Sequence, residues 1–356
     1  MKDENRVIGL DIVRCVALLF IIGVHFFYNN GFYFEPQQGA VMIVADTVRW
    51  LTFSCVPLFI ILTGYLKAEA GLSKKYYKGI VPILVAWIVI SVICMVFKGT
   101  YIGTKQTMLQ WITEFLNYKG ADYSWYIELY IGLFLLCPFL NGFFNWEKDG
   151  KYHFALLVTM LVTAYLPSLL NNITTGGVVL NLVPDYFVSM WPFAYYFMGC
   201  ALRKYQFRLS TFTCIFGAGV LSLIKALMTY MSAEGENFYK GIGGGYSDFF
   251  VAGITLFVFM ALYQAEVKNM WLRRFFAHIS KRSLHIYLLS SVADLLMNDV
   301  FREFHKPSEY WWLFWVKCML VFVISLAMSE VVYPITTAIS RWIMNLVPAW
   351  RGTQKR

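Results

Sequence analysis

Charge is what this chain has least of. Asp, Glu, Lys and Arg make up 14% of its 356 residues, against about a quarter in a soluble domain. With 59% hydrophobic residues and a mean hydropathy of +0.57, that deficit excludes an ordinary soluble globular fold. Cysteine is sparse as well. Cys15, Cys55, Cys94, Cys137, Cys200, Cys214 and Cys318 all fall in apolar segments. Their spacing offers neither a metal site nor a disulfide framework, so they read as small buried hydrophobes and no metal is expected. Also missing are low-complexity tracts, a clear internal repeat and any stretch long enough for a separate extracytoplasmic enzyme. Residues 1–356 therefore read as one transmembrane domain. Lys2 and Arg6 precede an apolar run that is too long for a signal peptide and lacks a small-residue cleavage site, so it reads as a retained first span.

What is present is a series of apolar runs of bilayer length. Ten candidate spans lie near 7–29, 48–66, 78–97, 125–144, 153–170, 185–202, 210–231, 248–265, 283–299 and 311–340. The predicted fold class is all-α: a polytopic membrane protein of about ten transmembrane helices, multi-pass in the cell membrane. The 23 Tyr and 12 Trp suit belts at the two lipid–water interfaces. The last run is over-long and holds Pro334, which predicts a kink or a continuation along the surface. Stretches 107–118 and 268–281 look amphipathic and interfacial.

Basic residues orient the chain. With the N-terminus inside and ten crossings, most of the 30 Lys and Arg fall on inside segments. Among them are Lys67, Lys74, Lys75, Lys78, Arg203, Lys204 and the run Lys268, Arg273, Arg274, Lys281, Arg282. Both termini therefore read as cytoplasmic. The net charge of +9 follows from that rule alone, and no nucleic-acid partner is expected. The same cations could also hold a polyanionic cytosolic cofactor.

Two ionisable residues interrupt the first span. Arg14 and His25 are eleven residues apart, close to three helical turns, so they share one face roughly 16 Å apart. Hydrocarbon penalises such groups, which makes them a functional-site hypothesis. In the oriented chain Arg14 lies in the inner half and His25 in the outer half, with Glu128 at about the level of His25. The lower storey is cationic, Arg14 plus the loops around 268–282. The upper storey offers an imidazole suited to general-base work and a carboxylate that could orient it. Plainer readings stand beside these. His25 could bond a neighbouring helix, Arg14 could pair with Asp11, and Glu128 could be the structural partner of Lys225 or Lys317. His153 and His305, near loop ends, read as solvated, and the role of His285 is open.

These residues resemble the acyltransferase 3 family of integral-membrane O-acyltransferases. Leu10-Asp11-Ile12-Val13-Arg14 followed by His25 is similar to its Arg-x10-His signature. Val56-Pro57-Leu58-Phe59 through Thr63-Gly64-Tyr65-Leu66 resembles its Pro-Leu-Phe…Ser-Gly-Tyr-Leu segment, with Thr63 in the Ser place. Ser124-Trp125-Tyr126-Ile127-Glu128 through Gly132-Leu133 to Pro138-Phe139-Leu140 resembles the fourth span of the branch that modifies surface polysaccharides. Tyr196-Phe197-Met198-Gly199-Cys200 and Ile279–Leu288 match more loosely. The late segment departs from the family pattern: Ser290 stands where a histidine is usual, and His285 appears earlier.

The resemblance implies acyl transfer from a cytoplasmic acyl-CoA, usually acetyl-CoA, to a hydroxyl of a glycan or lipid-linked sugar on the outer side of a bacterial inner or plasma membrane. Arg14, with Arg273, Arg274, Lys281 and Arg282, would hold the donor's phosphates. His25 would act as general base or transient acyl carrier. Glu128 would orient His25 or bind acceptor hydroxyls, and Trp125 and Tyr126 would stack on sugar faces or simply anchor the interface. The rival reading is a transporter or flippase for an anionic lipid-linked sugar or small molecule. The absence of paired half-chain repeats speaks against it.

Overall fold

The computed structural model describes residues 6–103, 106–174, 180, 182–301, 306 and 308–346. These are mostly helical, with no β-strand among the described residues. In chain order the helices are α1 (Ile8–Asn29), α2 (Ala40–Thr52), α3 (Cys55–Lys67), α4 (Lys74–Lys78), α5 (Val81–Tyr101) and α6 (Met108–Leu116). Then come α7 (Trp125–Phe144), α8 (Gly150–Met160), α9 (Leu166–Ile173), α10 (Asp185–Val188) and α11 (Trp191–Tyr205). The chain ends with α12 (Thr211–Ser232), α13 (Phe249–Leu262), α14 (Met270–Val300) and α15 (Trp311–Leu346).

Seven helical runs are long and apolar enough to cross a membrane: α1, α2 with α3, α4 with α5, α7, α8 through α9, α12 and α15. The protein is a multi-pass membrane protein. The three further spans expected from the sequence fall on α11, α13 and α14. The first two have 15 and 14 residues, and α14 carries Arg273, Arg274, Lys281 and Arg282 in its first half.

Polar caps start several helices. Thr107 and Gln110 form a reciprocal capping box on α6. Ser210 starts α12, Asp248 starts α13 and Asn269 starts α14, each accepting from backbone N–H groups of the first turn. Helix α1 lies at the centre, packed against α2, α3, α13, α14 and α15. The face of the bundle where α1 begins is called the lower face below, and the face where it ends the upper.

Helices α3 and α11 make the closest crossing. A Cβ on Gly64 would lie 2.1 Å from the carbonyl oxygen of Tyr196, and one on Gly199 2.1 Å from that of Ile61. Only glycine fits at either point, which gives a physical reason for glycine in both of those sequence segments. A second tie is a closed polar network. Lys225 Nζ lies 2.8 Å from Asp248 Oδ2 and donates to Asn172 Oδ1 and Gly243 O, and Asn172 Nδ2 donates to Asp248. Its three side chains are buried, and it joins α9, α12 and α13.

The structure adds detail to several local expectations and corrects one. Residues 268–281 lead into and form the first part of α14, which runs unbroken from Met270 to Val300 with no Pro or Gly to interrupt it. Helix α15 spans Trp311–Leu346 with Pro334 inside it. The 107–118 stretch folds back along α5, where Phe115 and Tyr118 stack on Trp87. His153 is fully buried rather than solvated. A short turn after α7 lays α8 against α11, so Nδ1 meets the Tyr205 hydroxyl at 2.8 Å and Nε2 meets Phe144 O at 2.8 Å. All seven cysteines are free and buried, as expected. His305 lies outside the described residues.

Candidate active site

On the lower half of α1, Asp11 and Arg14 are close, but Asp11 is chiefly held by another residue. Arg6 donates to it twice, Nε to Oδ2 at 2.5 Å and Nη2 to Oδ1 at 2.7 Å. Arg14 Nη1 makes only a long contact with Asp11 Oδ1, at 3.5 Å, and also donates to Ser280 Oγ on α14 at 3.0 Å. With its carboxylate neutralised elsewhere, the half-buried Arg14 guanidinium keeps unused donors.

Arg14 borders two adjoining cavities. One, of about 430 Å³, opens at the lower face between Arg6, Asp11, Tyr65 and Arg203. It shares Arg6, Tyr65 and Arg203 with a wider lower cavity of about 840 Å³ whose wall includes Arg208, Lys268 and Arg273. The other, of about 530 Å³, rises from Arg14, Leu66 and Lys67 to Ile21, Tyr126 and Tyr287. It lies where α7 stands off from α1, α3 and α14. Three cavities thus adjoin one another from the basic lower face to mid-bundle.

The upper cavity is separate and measures about 520 Å³. His25 lines it with Asn29, Tyr123, Trp125, Asp294 and Asn298. Tyr123 lies face to face with the imidazole, with ring centroids 3.4 Å apart and planes 11° from parallel. The Tyr123 hydroxyl donates to Asp294 Oδ2 at 2.7 Å and accepts from Asn29 Nδ2 at 2.8 Å. The Tyr287 hydroxyl donates to the Tyr123 carbonyl oxygen. Behind Asp294, Lys317 donates to Asn30 and Asn298, each at 2.6 Å. His25 Nδ1 is buried and has no hydrogen-bond partner. Tyr126 and Tyr287, ring centroids 6.1 Å apart, lie between the lower and upper cavities.

The residues singled out in the sequence are divided by this arrangement. Arg14 and His25 stand on one face of α1, each beside its own cavity. Arg273 lines the wide lower cavity, whereas Arg274 and Lys281 are exposed on α14. Arg282 Nη2 is 2.9 Å from Glu330 Oε2, and Nη1 lies 3.2 Å from His278 Nδ1. Trp125 lines the upper cavity and stacks on Tyr246. Tyr126 is buried at the top of the mid-bundle cavity. Glu128 is exposed on α7, lines none of these four cavities and forms no ion pair among the described residues. Lys225 and Lys317 have partners of their own, described above. His285 bonds Thr336 Oγ1 at 2.7 Å, and Ser290 donates to the Tyr287 carbonyl. No group of metal ligands occurs among the described residues.

Sequence reasoning missed Tyr123, Asn29 and Ser280. None stands out as charge in an apolar run, and each acquires its place through contacts far along the chain. Asp294 is a carboxylate inside an apolar run, but nothing near it in sequence names its partner.

A family model described as an acyltransferase domain matches residues 7–330. No curated protein and no solved structure matches the chain.

Proposed function

Because the chain belongs to the acyltransferase 3 family, we propose that it moves an acyl group, acetyl in the first instance, from cytoplasmic acyl-CoA to a hydroxyl of a cell-surface glycan or its lipid-linked precursor. The observation that carries this reading is the run of adjoining cavities. It starts at a basic lower face, passes Arg14, and ends at a tyrosine layer beneath a second cavity that holds His25. A lower face assigned to the cytoplasm, with both termini there, suits that order.

The residues present fit such a donor. Guanidinium groups bind phosphate oxygens through paired, charge-assisted donors. Arg14 and Arg273, with Arg203, Arg208 and Lys268 on the same cavity walls, would hold the phosphates; Arg274 and Lys281 would form the exposed rim. When bound, the donor supplies the acyl group as a thioester. Arg282, already committed to Glu330, is assigned a structural part.

On the acceptor side, His25 takes the proton of the attacking hydroxyl as its oxygen bonds to the acyl carbon, and returns that proton to the departing sulfur. Direct acylation of His25 is the alternative path to the same products. Trp125 would offer the acceptor an aromatic face. Glu128, exposed one turn into α7 and lining none of the four cavities, is given no contact with His25 or the acceptor in this arrangement. Tyr126 and Tyr287, at the top of the donor's cavity, form the layer that the thioester would have to pass to reach His25.

The test is transfer of label from radiolabelled acetyl-CoA to surface glycan in membranes containing the protein. His25→Ala is expected to abolish it while the protein remains inserted at normal yield. A folded His25→Ala protein with wild-type transfer would overturn the assignment. Counterflow of glycan precursor without any acyl-CoA would instead favour transport.

A further inference from the structure

The His25 ring lacks the usual device for orienting a catalytic imidazole. A base of this kind ordinarily donates its second N–H to a carboxylate or carbonyl, which fixes the ring and stabilises the cation formed on proton uptake. Here Nδ1 is buried with nothing to bond, and Glu128, the carboxylate at the matching depth, is exposed on another helix. What touches the ring is the face of Tyr123, at 3.4 Å and nearly parallel.

Tyr123 is itself fixed at three points. Its hydroxyl donates to Asp294 and accepts from Asn29, and its backbone carbonyl accepts from Tyr287. Asn29 is one helical turn beyond His25, so α1 grips both the face and the hydroxyl of the same tyrosine. The segment that carries it is also pinned: Ser124 Oγ donates to Ala121 O and to Tyr118 O, and Tyr118 adopts φ +57°. Asp294 is 2% exposed and faces Lys317 as well as Tyr123.

Resting on the acyl-transfer reading, we propose that Tyr123 is the positioning residue of His25 and that Asp294 acts on His25 through it. The π-face does what a hydrogen-bonded carboxylate does elsewhere. It holds the imidazole plane without occupying either ring nitrogen. It also stabilises the imidazolium present after the hydroxyl proton has been taken, by cation–π attraction. The Asp294 carboxylate, accepting from the phenol, draws that proton toward itself and enriches the ring that faces His25. No proton passes from His25 to Asp294 in this arrangement.

Steady-state acyl transfer on a set of near-isosteric variants tests this. Tyr123→Leu, which removes the face, is expected to lower kcat roughly tenfold or more, in line with a desolvated cation–π contact, with KM for acetyl-CoA unchanged. Tyr123→Phe, which keeps the face, should restore most of the lost kcat. Asp294→Asn should lower kcat several-fold in the wild-type background and have little further effect in Tyr123→Phe, because its action passes through the phenol. Additive effects of Asp294→Asn and Tyr123→Phe on kcat would overturn the proposal, as would a folded Tyr123→Leu protein with wild-type kcat. Should Tyr123→Leu fail to fold, the Phe–Asn cycle decides alone. His25→Ala run in parallel keeps the two ideas apart. Activity retained there removes the acyl-transfer role of His25, whereas loss there with an additive cycle removes only the part given to Tyr123.

Discussion

At the scale of single residues, α1 shows what periodicity reveals and what it hides. The eleven-residue spacing of Arg14 and His25 placed them correctly on one face, since helical geometry alone fixes that. The pairing of Arg14 with Asp11 three residues earlier was legible and is present as a long 3.5 Å contact. What was not legible is that Arg6, in the chain just before α1, turns back and takes the larger share of Asp11 with two short bonds. That sharing leaves Arg14 donors for a ligand, and it gives a prediction. Arg14→Ala should raise the apparent KM for acetyl-CoA by about ten- to a hundredfold, the range of one charged hydrogen bond at about 1.5–3 kcal/mol, with kcat changed less. Arg14→Lys should recover only part of the affinity, because an ammonium lacks the paired donors. Titrating initial rates against acetyl-CoA checks both, and an unchanged KM in Arg14→Ala would remove the donor role.

At the scale of elements, most helices were legible because apolar runs of bilayer length leave few alternatives. What was not legible is how they approach one another. Nothing in the sequence distinguishes Gly199, which α3 needs bare, from Gly132 on α7, which has open space around it. Likewise the 118–124 segment reads as a loop between two spans, whereas it delivers Tyr123 to His25 and Asp294 through contacts with α1 and α14. The contrast between the glycines is testable. Gly199→Ala puts a methyl against a backbone carbonyl that no rotamer change can move. It should cost at least the ~1–3 kcal/mol typical of overpacking and lower the melting temperature in detergent. Gly132→Ala meets no atom and gains helix propensity, so its melting temperature should match or slightly exceed that of the wild type. Equal melting behaviour of the two variants would mean that the α3–α11 crossing is looser than these distances allow.

At the scale of the whole molecule, the distribution of cations and the order of the cavities point the same way, and each arises from a different constraint. The basic bias is set when the chain is inserted, whereas the cavities depend on how α7 stands off from α1, α3 and α14. Their agreement makes the proposed reaction directional: the basic groups proposed to hold the donor's phosphates lie on the face where α1 begins, and His25 faces the cavity at the other. An impermeant donor should then work from one side only. In sealed inside-out vesicles, acetyl-CoA added to the medium meets the lower face and should label glycan enclosed in the lumen. In right-side-out vesicles the same addition should give no labelling until acetyl-CoA is loaded inside. A tag following α15 should be protease-sensitive in the first preparation and protected in the second, which ties the sidedness of the chemistry to that of the chain. Labelling by external acetyl-CoA in intact right-side-out vesicles, with the tag still protected, would place the donor's entrance at the upper face and reverse the roles given to Arg14 and His25.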